Sequence, residues 1–108
     1  EAAGFVATVY ARANIINPVI YNALTNEAIG IDGTLEKGST LTISTVDGNK
    51  RIKITDANGI ERNVLSLKRA GSKWLKLAAG ANYIAYAAQE GTDAMMVTLR
   101  HNELFVGV

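Results

Sequence analysis

The sequence predicts an all-β fold, an antiparallel β-sandwich formed as a single domain over residues 1–108. Apolar and polar residues alternate along several stretches, which is the spacing of strands with one buried face. Turn-forming pairs such as Asp-Gly and Asn-Gly recur roughly every ten residues, and many short strands with regular turns are typical of sandwiches and barrels. The chain has 108 residues, of which 48% are hydrophobic. A chain of this length and composition can form one hydrophobic core without disulfides.

The first predicted strand lies within residues 5–12, and the clearest hairpin joins residues 40–45 to residues 51–55. Asp-Gly at positions 47–48 is a strong hairpin signal, and a two-residue type I′ loop would give both residues a positive φ. This register places Ile43 opposite Ile52 and Leu41 opposite Ile54, so all four side chains share one face.

A second hairpin is predicted between residues 83–88 and 94–100, joined by a four-residue loop. It would place Ile84 opposite Leu99, Tyr86 opposite Val97 and Ala88 opposite Met95. Shorter strands are predicted at 19–22, 28–31, 60–64, 74–77 and 104–106. Helix is limited to one turn between Val64 and Arg69, and Pro18 predicts an extended conformation for Asn17.

The sequence offers no candidates for catalysis, cofactor binding or metal binding. Cysteine is absent, so disulfides, thiolate zinc sites and cysteine nucleophiles are excluded. His101 is the sole histidine, and no G-x-S-x-G motif or phosphate-binding loop accompanies it. The ten carboxylates lie mostly at turns. We therefore expect a protein that is not an enzyme. No apolar run approaches the ~20 residues of a membrane span, so no membrane partner is expected.

Basic residues are concentrated in one part of the chain. Eight of the eleven lie between Lys50 and Lys76, with two acids, which makes that segment +6 and the rest −5. A sheet that reads nucleic acid interleaves basic residues with aromatic ones, and here Trp74 is the one aromatic residue in the segment. We interpret the segment as a solvated basic sheet edge and do not expect nucleic acid as a partner.

Three residues are candidates for contact with a ligand or partner: Trp74, Asn82 and Tyr83. Tyr83 is the best aromatic platform, and Asn82 lies next to it. The same strand face continues with Ala85 and Ala87, whose methyl groups suit another sheet or chain better than sugar hydroxyls, which need hydrogen-bonding partners. Trp74 lies among leucines, so it fits the edge of the core equally well.

The order of several motifs resembles the C-terminal domain of siphophage distal tail proteins. Asn-Pro-Val-Ile-Tyr-Asn at 17–22, followed by Thr25, Ile29 and Ile31, is similar to the segment that opens this domain. Similar in order are residues 35–38, 41–45 and 47–50, then Trp74 with Leu77, Gly-Ala-Asn before Tyr83, and the ending Leu-Phe-Val-Gly-Val. The resemblance covers nearly the whole chain from about residue 15. It departs from the family at the basic stretch 67–73 and at Ala79-Gly80, where Pro-Gly is usual.

The resemblance implies a galectin-like or jelly-roll-like β-sandwich that is a non-catalytic structural and docking domain of a phage or prophage tail. The full protein would be a homo-hexameric ring at the virion tail tip, built by an N-terminal belt domain that is not in this sequence. It would join the tail tube to the baseplate hub and receptor-binding proteins, after assembly in the cytoplasm of the host bacterium. On this interpretation the chain is a C-terminal fragment and is monomeric by itself. The alternative is a carbohydrate-binding module for host adhesion, which requires Tyr83 and Trp74 to be exposed.

Overall fold

The structure, a computed structural model, describes residues 3–77 and 82–100. Within these residues it contains ten strands and two short 3-10 turns, at Leu65–Leu67 and Thr92–Ala94. The strands are β1 (Val6–Ala11), β2 (Ile15–Ile16), β3 (Val19–Asn22), β4 (Glu27–Gly30), β5 (Thr34–Leu35), β6 (Thr40–Ser44), β7 (Arg51–Thr55), β8 (Glu61–Asn63), β9 (Ile84–Ala87) and β10 (Met95–Arg100). The all-β prediction is confirmed.

Two antiparallel sheets enclose the core. One has five strands in the order β10-β1-β6-β7-β8, and the other has three in the order β4-β3-β9. The short β2–β5 pair completes the fold. Side chains from both sheets are fully buried between them, including Val9 and Ile43 from the large sheet and Ile20 and Ile29 from the small one. The arrangement is a β-sandwich.

The hairpin of β6 and β7 has the predicted register. Leu41 pairs with Ile54 and Ile43 with Ile52, and the Asn49 N–H donates to the Val46 carbonyl at 2.9 Å. The loop is therefore two residues long, as expected. The turn type differs, because the second loop residue, Gly48, has φ +80° while the aspartate before it has no positive φ. A positive φ at the second central position alone is the pattern of a type II turn, in which glycine is favoured.

The second predicted hairpin is wrong. β9 pairs with β3 in the small sheet, and β10 pairs with β1 in the large sheet. Ile84 lies opposite Asn22 rather than Leu99, and Tyr86 lies opposite Ile20 rather than Val97; Ala88 and Met95 are likewise not paired. The connecting residues form bonds of their own, since Thr92 Oγ1 accepts the Ala88 N–H at 3.0 Å and a 3-10 turn follows. The chain thus crosses from one sheet to the other instead of folding back.

Asn17 departs from the predicted extended conformation. Its φ is +55°, in the left-handed region. Asparagine tolerates this region better than most residues because its short side chain can hydrogen-bond nearby backbone. Here Oδ1 accepts the Gly33 N–H at 2.8 Å and Nδ2 donates to Gln89 Oε1 at 2.8 Å. These two hydrogen bonds outweigh the preference for an extended conformation that Pro18 imposes on the residue before it.

The shorter predicted elements have mixed outcomes. The strand at 19–22 is β3, that at 28–31 is β4 shifted by one residue, and that at 60–64 shortens to β8. Residues 74–77 form no strand, although Leu77 makes an isolated bridge with Ala3. The strand at 104–106 lies outside the described residues. The predicted helical turn is the 3-10 turn at Leu65–Leu67. No helix in the described ranges is long and apolar enough to span a bilayer.

Candidate functional site

The outer face of the three-stranded sheet is apolar and is called the alanine face below. Register places Tyr21 beside Ala28 on one side and Ala85 on the other, and Val19 beside Gly30 and Ala87. The Ala23 N–H donates to the Tyr83 carbonyl at 2.7 Å, which continues the same ladder. Tyr83 therefore shares this face, because side chains alternate along a strand. The alanine face consists of Val19, Tyr21, Ala28, Gly30, Tyr83, Ala85 and Ala87, none of which is charged.

The outer face of the five-stranded sheet is mostly polar, although Tyr10 and Met96 pair on it and are 44% and 51% exposed. Thr8 lies between Thr42 and Thr98, and Lys53 comes next in the same row. Hydroxyl and charged side chains are the usual composition of a solvated sheet face. Charged side chains therefore occur on the outer face of the large sheet and not among the seven residues of the alanine face.

The alanine face is also shaped by close backbone contact. A Cβ on Gly30 would lie 2.5 Å from the Pro18 carbonyl oxygen and 2.9 Å from Val19 Cα. No side chain fits at this position without a shift of backbone. Gly30 is itself buried and adds no side chain to the face, whereas Tyr21 lies on its central strand, β3, and the exposed Tyr83 lies at its edge.

Asn82 and Tyr83 come directly before β9. Tyr83 is 68% exposed and stands at the edge of the small sheet, and Asn82 beside it is half-buried. Tyr86 faces the side of Ile20, as its alternation with Ile84 predicted. It remains 43% exposed because β9 is at the sheet edge.

Trp74 lies apart from Tyr83. The segment before it runs along the outer edge of β4, where the Lys73 N–H donates to the Ala28 carbonyl at 2.8 Å. β9 is three strand spacings away, about 14 Å. The Trp74 ring is half-buried against the core, with Lys68 Nζ 5.8 Å from the ring centroid. Trp74 thus fits the core-edge interpretation, and the two aromatic residues do not form one platform.

Acidic side chains neutralise part of the basic segment. Lys53 pairs with Glu61 at 3.0 Å and Arg69 with Asp32 at 3.1 Å. Asp47 lies 2.6 Å from Lys76 and 3.5 Å from Lys50. The hydrogen bond and charge of Lys76, supported by Lys50, hold the pKa of Asp47 below its ordinary value. The +6 count of the sequence therefore overstates the positive field of this surface.

Nothing in residues 3–77 and 82–100 groups three or more histidine, cysteine or carboxylate side chains as a metal site requires. His101 lies outside the described residues.

Sequence reasoning missed the contribution of β3 and β4 to the alanine face. Alternation at 19–22 was visible and would have placed Val19 and Tyr21 opposite to Ile20. Their neighbours Ala28 and Ala85 follow only from strand pairing, which brings residues more than 50 positions apart into one row.

The family model for the C-terminal domain of a siphovirus-type tail component matches residues 2–105. The chain belongs to this family. It is therefore a domain of a tail component, located in the virion tail and interacting with other tail proteins. Neither the curated proteins nor the solved structures contain a significant match. The resemblance inferred from about residue 15 onward is confirmed, and the match extends to the N-terminal strand.

Proposed function

We propose that this chain is a non-catalytic docking domain of the tail-tip baseplate, built on a galectin-like sandwich, and that the alanine face is its contact surface. The observation that supports this proposal is the uncharged outer face of the small sheet, which contrasts with the charged and hydroxyl side chains on most of the outer face of the large one. An exposed apolar sheet face is a common feature of protein contact sites. The tail tube and the hub or receptor-binding proteins are the partners we propose.

The size of the alanine face sets how strongly it would bind alone. Three strands of four residues cover about 14 Å by 13 Å, so a contact would bury roughly 400 Å² counting both partners. Stable interfaces bury about 1,200–2,000 Å². The contact is therefore weak by itself. It becomes effective where the rest of the tail holds the two surfaces together, because the high effective concentration of one surface near the other compensates for the small buried area.

A charge placed on the alanine face tests this proposal. Ala85→Glu in the parent phage gene should leave the domain folded and stop tail completion, because a carboxylate would be desolvated at the contact. Thr42→Glu, on the polar outer face of the large sheet, is the matched control and should leave tails intact. The measurements are plaque counts and electron microscopy of particles. Normal tails from Ala85→Glu would overturn the proposed surface.

Carbohydrate binding has less support, because Ala85 and Ala87 supply methyl groups where a sugar needs donors and acceptors. We expect calorimetric titration of the domain with host cell-wall polysaccharide to show no binding. Micromolar binding that Tyr83→Ala abolishes while the fold is kept would favour the adhesion module instead.

Assembly into a hexameric ring is proposed for the belt domain and not for these residues. The isolated 108 residues should then be monomeric in light scattering. A stable hexamer of the isolated chain would assign ring formation to this domain.

A further inference from the structure

The outer edge of the five-stranded sheet carries a second feature, called the β8 edge and defined as residues 60–65. The Asp56 N–H donates to the Ile60 carbonyl, and the Val64 N–H donates to the Ile52 carbonyl, both at 2.9 Å. Antiparallel pairs alternate between bonded and non-bonded, so the backbone groups of Arg62 also face β7. Those of Glu61 and Asn63 then point away from the sheet. Within the described chain no backbone group pairs with them.

A groove runs beside this edge, lined by Arg51, Ile52, Lys53, Glu61, Arg62 and Asn63. Lys53 is occupied by its ion pair with Glu61. Arg51 and Arg62 have no carboxylate within ion-pair distance among the described residues. The two arginines that line the groove are therefore available to carboxylates, which guanidinium groups match in geometry as well as charge, Arg51 from the outer face of the sheet and Arg62 from the face of Ile54.

Large aliphatic side chains flank the edge at both ends. Ile60 is 64% exposed and Leu65 is 42% exposed. Ile60 directly precedes β8, and Leu65 begins the 3-10 turn that follows it. Charged residues on an edge strand commonly serve to repel other strands, and Glu61 and Arg62 could serve that purpose. The exposed side chains of Ile60 and Leu65 oppose such repulsion, because aliphatic side chains favour contact with another chain.

We propose that the β8 edge binds an extended acidic segment of a partner protein, which adds to the sheet as a sixth strand. Backbone groups of Glu61 and Asn63 would pair with the segment. Arg51 and Arg62 would meet its carboxylates, and Ile60 and Leu65 would contact apolar residues at its ends. This site is on the other sheet from the alanine face and does not depend on it.

The test uses the 108-residue chain labelled with ¹⁵N and a capped hexapeptide, Leu-Glu-Asp-Glu-Asp-Leu. Amide resonances should shift at Glu61, Asn63 and their neighbours, and the affinity should fall as salt rises. The same peptide with lysine at the four acidic positions should bind at least tenfold more weakly. Equal binding of the two peptides, or shifts that map to β9, would overturn the proposal.

Charge reversal separates the proposed contact from nonspecific attraction. Arg51→Glu combined with Arg62→Glu should weaken binding of the acidic peptide roughly tenfold, since two exposed ion pairs, each modest in strength, are lost together. Lys37→Glu combined with Lys73→Glu makes the same change in net charge on exposed side chains elsewhere and should weaken it less than about threefold. The amide spectra of both variants report whether the fold is kept. Equal weakening by the two pairs would show that net charge alone attracts the peptide and would refute the site.

Discussion

Replacing Asn17 tests whether one side chain joins three parts of the chain. The residue has φ +55°, accepts the Gly33 N–H and donates to Gln89. We predict that Asn17→Ala destabilises the domain more than Asn17→Gly, and that Asn17→Asp has the smallest effect. Alanine loses both hydrogen bonds and is strained at this φ. Glycine loses the bonds without the strain, and aspartate keeps the acceptor for Gly33.

The structure sets the size of each effect. The bond to the Gly33 N–H is partly buried and the bond to Gln89 is exposed, so we assign about 1 and about 0.5 kcal/mol to them. The left-handed conformation adds about 1 kcal/mol for alanine. Asn17→Ala should therefore lower the free energy of unfolding by about 2–3 kcal/mol and Asn17→Gly by about 1–2 kcal/mol.

Urea unfolding followed by the fluorescence of Trp74, the sole tryptophan, measures these differences. With an m-value of about 1–1.5 kcal/mol/M, Asn17→Ala should shift the midpoint by roughly 2 M. An alanine variant as stable as the glycine variant would refute the role of the positive φ. An alanine variant within about 0.5 kcal/mol of wild type would refute the hydrogen bonds as well.

Two further substitutions follow from the contacts. Thr45 is fully buried and its Oγ1 accepts the Phe5 N–H at 2.9 Å, so Thr45→Val should cost about 1–3 kcal/mol by leaving that donor unpaired. Thr42→Val, at the outer face, is the control, because the Thr42 hydroxyl makes no hydrogen bond within the described part of the chain, and it should stay within about 0.5 kcal/mol; similar losses from both in urea unfolding would contradict this assignment. The second concerns pH. Because Lys76 lowers the pKa of Asp47 from its usual 3.8, the contribution of this pair is present above that value and is lost as pH falls through the lowered pKa. The stability difference between wild type and Asp47→Asn should therefore shrink as pH falls below 3.8, and a difference that grows on acidification would show the opposite sign.

Local sequence patterns determined the longer strands and one hairpin, but they missed β2 and β5 and predicted a strand at 74–77 that does not form. In β6 and β7 the alternation of Leu41 and Ile43 with threonines, and the Asp-Gly turn between the strands, fix both the faces and the register, because partners only a few residues apart leave little choice of pairing. The family resemblance had the same origin, in short motifs whose order survives in the sequence.

The tertiary structure decided which strands that are distant in sequence became neighbours. The segments that contain Ile84 and Leu99 both alternate as strands do, and a short loop joins the two segments. Even so, β9 pairs with β3 and β10 pairs with β1. Period-two alternation shows that a residue faces a core and carries no information on which strand lies beside it, since pairing partners are chosen by the packing of the whole sandwich. The same limit applies to Asn17, whose φ depends on Gly33 and Gln89. It applies as well to the alanine face, whose small side chains become one surface only when β4, β3 and β9 are aligned.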